Sequence, residues 1–106
     1  MRIKAYHKLV RDRIPEIIAS DGKTCLCETL SDEDYLHLLD AKLTVELSEY
    51  QESHSLEELA DLLEVLRAVV EARGWTWEEL EQVRQDKAAK RGGFEKKILL
   101  KEVIES

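Results

Sequence analysis

The chain has 106 residues, a net charge of −7, 43% hydrophobic and 37% charged residues, one proline and four glycines. This length predicts one small domain over residues 1–106, and the composition excludes a disordered chain or one built of long loops. No run approaches the roughly 18 apolar residues that span a bilayer, and charges interrupt residues 1–18, where a secretory signal has its apolar core. We therefore expect a cytoplasmic protein with no membrane partner.

The charge is unevenly distributed along the chain. Residues 31–64 contain eleven acidic residues and a single basic one, Lys42, whereas residues 1–13 and 84–101 are mainly basic. Domains that bind nucleic acid usually carry a net positive charge, so we do not expect nucleic acid as a partner. An acidic centre between basic ends is better suited to holding a cation beside an anionic ligand.

The first predicted elements are a short helix and a strand. The segment "IPEIIASDG" predicts a helix with Pro15 in its first turn and Gly22 after its end. Residues 23–30, "KTCLCETL", alternate as a short strand does. Cys25 and Cys27 would then point the same way, and two cysteines cannot form a complete zinc site. We expect them to be reduced, partly buried side chains without a disulfide.

Three longer helices follow, each with its own start and stop signals. Ser31 is a natural N-cap for a long helix with leucines at helical spacing. Ser55 caps a third helix that ends at Gly74, and a fourth runs from a capping box at Thr76 to the glycine pair at 92–93. The β-like residues 96–104 are a candidate partner strand for residues 23–30.

These elements predict a mainly all-α fold. We expect an antiparallel bundle of about four helices, with a small β-hairpin from residues 23–30 and 96–104 as an optional addition. Because a chain of this size leaves much apolar surface uncovered, we expect oligomerisation to complete the bundle.

Four carboxylates on the second and third helices form two pairs with a spacing of three: Glu46 with Glu49, and Glu58 with Asp61. Like charges three apart on a helix repel each other. Glu46 falls within the leucine stripe, and the second pair borders the apolar side of its helix. If "ESHS" folds the two helices into an antiparallel hairpin, both pairs lie near the same end.

Neighbouring buried carboxylates must take up protons or bind a cation. Oxygen donors suit Mg²⁺, with Mn²⁺ as an alternative, whereas a set without His or Cys does not suit zinc. Two other interpretations stay open at this point. Glu58 follows Ser55 by three residues and can belong to a capping box, and Glu46 with Glu49 can form a solvated face.

Three blocks of sequence carry a resemblance to a known family: "KLVRDRIPEII" at 8–18, "EELADLLEVL" at 57–66 and "KAAKRGGFEKKILL" at 87–100. With ExxE and ExxD on consecutive helices, they resemble the MazG-like all-α nucleoside triphosphate pyrophosphohydrolases. The resemblance is to a small branch with a Lys-Leu-Val-Arg-Asp start, related to phosphoribosyl-ATP pyrophosphohydrolase.

The resemblance implies a homodimer or homotetramer that hydrolyses the α–β phosphate bond of a nucleotide with Mg²⁺, with removal of non-standard nucleotides as a candidate role. It implies that Glu46, Glu49, Glu58 and Asp61 are the metal-binding and catalytic residues. Lys87 and Arg91 match basic residues expected to bind phosphate, and Lys8 and Arg11 are further phosphate-binding candidates. Two alternatives stay open: phosphoribosyl-ATP as the substrate, and a non-catalytic helical oligomerisation or regulatory module.

Overall fold

The chain forms four α-helices in the computed structural model, which describes residues 2–105. In chain order these are α1 (Ile14–Ser20), α2 (Asp32–Ser53), α3 (Leu56–Ala72) and α4 (Trp77–Arg91). The predicted all-α class is confirmed. No helix within residues 2–105 combines the length and the apolarity needed to cross a membrane.

The helices begin where their capping residues predict. At the start of α2, α3 and α4, a side-chain hydroxyl accepts a hydrogen bond from the backbone N–H three residues later: Ser31 from Asp34, Ser55 from Glu58, and Thr76 from Glu79. Pro15 lies in the first turn of α1, where its missing N–H costs no helical hydrogen bond. The predicted starts of these helices are therefore confirmed.

Helices α2 and α3 form the antiparallel hairpin that positions the candidate site. His54 and Ser55 connect them, and His54 adopts a left-handed conformation with φ of 54°. At the far end, Arg73 donates a hydrogen bond to Asp40 at 2.9 Å. The apolar side chains buried in this hairpin are Leu39, Val65 and Val70.

Helix α4 is attached much more loosely than α2 and α3 are to each other. Within residues 2–105, its helix–helix packing is confined to α3, where the Arg67 guanidinium lies 5.2 Å from the centre of the Trp77 ring. The chain measures 72 × 31 × 23 Å, with a radius of gyration of 19.2 Å. A compact domain of this length would have a radius of gyration of about 13 Å, so a single chain forms an open structure.

The predicted β-hairpin is wrong. Residues 23–30 and 96–104 are irregular, and residues 2–105 contain no strand. A strand needs a partner for its backbone groups and a surface for its apolar side chains, and neither segment has one here. Cys25 and Cys27 are free thiols, as expected, but they are exposed rather than partly buried.

Candidate metal centre

Three of the four predicted carboxylates converge where α2 and α3 leave their connection. Glu46, Glu58 and Asp61 each present one oxygen, and these three oxygens all lie within 4.8 Å of one another. Glu46 is 7% exposed, while Glu58 and Asp61 are half-buried. The antiparallel hairpin brings them together because Glu46 lies one to two turns before the end of α2, and Glu58 and Asp61 lie in the first two turns of α3.

Two oxygens of this cluster have no hydrogen-bond partner. Glu46 Oε2 and Glu58 Oε2 are both buried, and neither contacts a donor within residues 2–105. Leaving a buried acceptor unpaired costs about 1–3 kcal/mol, and more when it is charged. Buried, unpartnered carboxylate oxygens are the donors that a hard divalent cation would satisfy. The donor set therefore fits Mg²⁺ or Mn²⁺.

The capping interpretation of Glu58 is half right. Ser55 Oγ accepts from the Glu58 N–H at 3.2 Å, so Ser55 caps α3. A full capping box also needs the Glu58 carboxylate to accept from the Ser55 N–H. That N–H instead donates to Ser53 Oγ at 3.3 Å. The Glu58 side chain is therefore directed to the carboxylate cluster and is not used by the cap.

The surroundings of Glu46 raise its pKa above the usual glutamate range. Burial is the largest cause, because it disfavours the charged form, and the negative charge of Glu49 comes next. The charge of Asp61 raises the pKa further, and the charge of Lys42 opposes these effects. A cation placed here would reverse this effect, because it favours the ionised carboxylate.

Two basic side chains already contact the cluster. Arg11 Nη2 donates to Asp61 Oδ1 at 2.6 Å, and Lys42 Nζ lies 3.5 Å from Glu46 Oε1. Arg11 was predicted to bind substrate, and the structure places it on a carboxylate that was predicted to bind metal. The role of Lys42 was missed, although its position four residues before Glu46 is the spacing of a helical ion pair.

The remaining predicted residues lie at different places around this cluster. Glu49 is exposed and stands outside the group of three oxygens, although its charge acts on Glu46. Lys8 lines a pocket of about 220 Å³ that Lys42 also lines, and its Nζ lies 5.4 Å from the centre of the Tyr6 ring.

Lys87 and Arg91 are exposed on α4, and within residues 2–105 no hydrogen bond or ion pair joins them to the carboxylates. Arg91 lines a separate pocket with Gly92, Gly93 and Lys96. One chain therefore brings Arg11 to the cluster, but within residues 2–105 no hydrogen bond or ion pair joins Lys8, Lys87 or Arg91 to it.

Comparison with known proteins adds little beyond this geometry. No protein-family profile matches the chain, and no solved structure matches it. A 42-residue stretch is 55% identical to an uncharacterized protein of Mycolicibacterium smegmatis, covering 40% of this chain and 43% of that protein. The match thus spans less than half of either protein, and it does not assign the chain to a family.

Proposed function

We propose that this chain is a Mg²⁺-dependent nucleotide pyrophosphohydrolase that hydrolyses the α–β phosphate bond to release pyrophosphate. The observation that carries the proposal is the convergence of Glu46, Glu58 and Asp61, with two buried oxygens that have no hydrogen-bond partner. A three-carboxylate site leaves coordination positions for water and phosphate oxygens, as Mg²⁺ sites in phosphoryl-transfer enzymes do. The resemblance of the sequence to MazG-like enzymes supports the same reaction.

The proposed roles follow from where each side chain lies. Glu46, Glu58 and Asp61 hold the cation. A bound divalent cation would neutralise phosphate charge and polarise a water molecule. Glu49, exposed beside Glu46, is the carboxylate placed to accept a proton from that water. Arg11 exchanges Asp61 for a phosphate, to which its guanidinium can donate two parallel hydrogen bonds. Lys8, in the adjoining pocket, contacts the same phosphate chain.

We also propose that the active form is a homodimer or homotetramer. Three leucines one turn apart on α3 remain exposed in the single chain: Leu56 at 82%, Leu59 at 41% and Leu63 at 48%. The radius of gyration of 19.2 Å exceeds the value of about 13 Å for a compact domain of this length. The single chain therefore does not cover the α2–α3 hairpin. Lys87 and Arg91 belong to the proposed site only through such an assembly, because neither makes a hydrogen bond or ion pair with the carboxylates within residues 2–105.

Two classes of substrate fit this proposal. One is a nucleoside triphosphate, including non-standard nucleotides, and the other is phosphoribosyl-ATP. Both contain the same α–β anhydride, so the carboxylate cluster does not distinguish them. Only eight residues separate Glu49 from Glu58 in the sequence, which leaves a two-residue connection and little chain for recognising a base at this end. Recognition of the base therefore falls to other segments.

The second candidate function is a non-catalytic helical oligomerisation or regulatory module. One observation favours it: Arg11 and Lys42 already neutralise part of the cluster without a metal ion. In that case Asp61 would serve to anchor the N-terminal segment to α3.

A nucleotide panel distinguishes the two functions. The full chain is incubated with Mg²⁺ and with natural nucleoside triphosphates, modified ones, and phosphoribosyl-ATP, and pyrophosphate release is measured. We expect release from at least one substrate, a loss of at least 100-fold in Asp61→Asn, and wild-type rates in the exposed control Asp12→Asn. If no substrate yields pyrophosphate and Mg²⁺ leaves the thermal unfolding of the wild type unchanged, the enzyme proposal fails.

A further inference from the structure

The two cysteines lie on the irregular segment between α1 and α2. Cys25 Sγ and Cys27 Sγ are 3.6 Å apart, and both thiols are free. Residues two apart in an extended segment place their side chains on the same side, which accounts for this proximity. The chain therefore carries a pair of adjacent thiols.

A packing role does not explain this pair. Cys25 and Cys27 are exposed, and Leu26 between them is exposed as well. Structural cysteines are usually among the most buried residues, so these two contribute nothing to the described core. Exposure instead gives a ligand direct access to both sulfur atoms.

The surroundings of the pair limit the kind of ligand. Within residues 2–105, no cluster of three or more His, Cys, Asp or Glu ligand atoms includes these cysteines. A structural zinc site needs four such ligands, and Mg²⁺ prefers oxygen. Thiolates select soft ions, among them Cu(I). Two sulfurs without a third protein ligand suit a cation that accepts two-fold coordination.

We propose that Cys25 and Cys27 chelate one soft, thiophilic cation of the Cu(I) class. Two thiols and one Cu⁺ give a bis-thiolate complex and release two protons, with no change of oxidation state. Metal–sulfur bonds of about 2.3 Å in a linear arrangement would place the sulfurs about 4.6 Å apart. The present separation of 3.6 Å must therefore widen by about 1 Å, which an exposed, irregular segment allows.

The site has a built-in pH dependence. Each thiol must lose its proton for its sulfur to bind a cation. We expect binding to weaken as the pH falls. This behaviour does not depend on the carboxylate cluster, and the site stands whether or not the chain hydrolyses nucleotides.

The test is an anaerobic competition titration of the full chain with Cu(I) and a coloured Cu(I) chelator. We expect one equivalent of Cu(I) per chain, and a loss of affinity of about 100-fold or more in Cys25→Ser and in Cys27→Ser, because each variant loses the intramolecular second ligand. Thr29→Ser, in the same segment, serves as the control and should retain wild-type affinity.

Two results would overturn this inference. One is that either single cysteine variant binds Cu(I) as tightly as the wild type, which would place the ion elsewhere. The other is that mass spectrometry of the freshly reduced protein, held anaerobically with one equivalent of Cu(I), shows only the metal-free mass with both thiols unmodified.

Discussion

Glu46 is a carboxylate on a helix face that otherwise packs apolar side chains, and its energetics depend on what lies against it. Its pKa is raised, so the folded protein holds this proton more firmly than the unfolded chain does. Stability from this residue is therefore present at low pH, and it is lost as the pH rises from the ordinary value of 4.5 through the raised folded-state pKa.

Replacing Glu46 by Gln should stabilise the metal-free protein and remove its response to Mg²⁺. The amide keeps the shape of the side chain but removes a buried charge next to Glu49 and Asp61, so we expect a gain of about 1 kcal/mol near pH 7.5. Urea unfolding in EDTA, repeated from pH 4.5 to 8, measures this gain and its flattened pH dependence. The exposed control Glu52→Gln should behave like the wild type. A lower stability for Glu46→Gln at neutral pH would contradict this account.

Arg11 should oppose metal binding and assist substrate binding. Its guanidinium lies on Asp61, so Arg11→Gln frees a ligand and should tighten Mg²⁺ binding about two- to fivefold, in line with the energy of an exposed ion pair. The same variant should raise the KM for nucleotide, because a phosphate contact is lost. Calorimetry with Mg²⁺ and steady-state kinetics measure the two effects. Arg13→Gln, which breaks only the exposed pair with Glu16, is the matched control. An unchanged KM would remove Arg11 from the substrate site.

At the level of helices, the caps of α2 and α3 offer a matched comparison. Ser31 and Ser55 each accept one backbone hydrogen bond at a helix N-terminus, so Ser31→Ala and Ser55→Ala should each cost about 1 kcal/mol. Of these two helices, only α3 carries proposed metal ligands, Glu58 and Asp61, in its first two turns. The midpoint for Mg²⁺ in thermal-shift titrations should therefore rise for Ser55→Ala and stay unchanged for Ser31→Ala. Equal midpoints in the two variants would show that the first turn of α3 does not position the ligands.

The helices were predictable because their signals are local. Ser31, Ser55 and Thr76 satisfy backbone donors within three residues, so the sequence alone indicates where each helix begins. The alternation of apolar and polar side chains at residues 23–30 is not fixed by any local hydrogen bond of this kind. A strand depends on a partner elsewhere in the chain. That dependence is why the hairpin prediction was wrong.

The convergence of the carboxylates was predictable for the same reason, but the contact with Arg11 was not. Glu46, Glu58 and Asp61 lie on adjacent helices joined by two residues, so helical spacing and a tight turn suffice to bring them together. The contact of Arg11 with Asp61 spans 50 positions, and no periodicity in the sequence specifies it. Long-range contacts of this kind are seen only in the folded structure.

For the whole molecule, the open shape predicts association. Leu63→Asp places a charge on the exposed leucine face of α3, and we expect it to shift the protein from an oligomer to a monomer, because that face would then resist burial. Sedimentation velocity at micromolar concentration measures the change. Gln51→Glu adds the same charge at an exposed polar position and should leave the oligomer intact. A wild type that sediments as a monomer would refute the proposed assembly.

The short connection at His54 and Ser55 also bears on the kinetics of folding. Glu46 and Asp61 are only fifteen positions apart, so bringing the ligands together closes a small loop at a low entropic cost. Contacts between residues so close in the sequence form early in folding. The contact of Arg11 with Asp61 on α3 closes a much longer loop. With the metal site as proposed, the nascent hairpin would bind a divalent cation before the N-terminal segment reaches Asp61, and Mg²⁺ should accelerate formation of this hairpin.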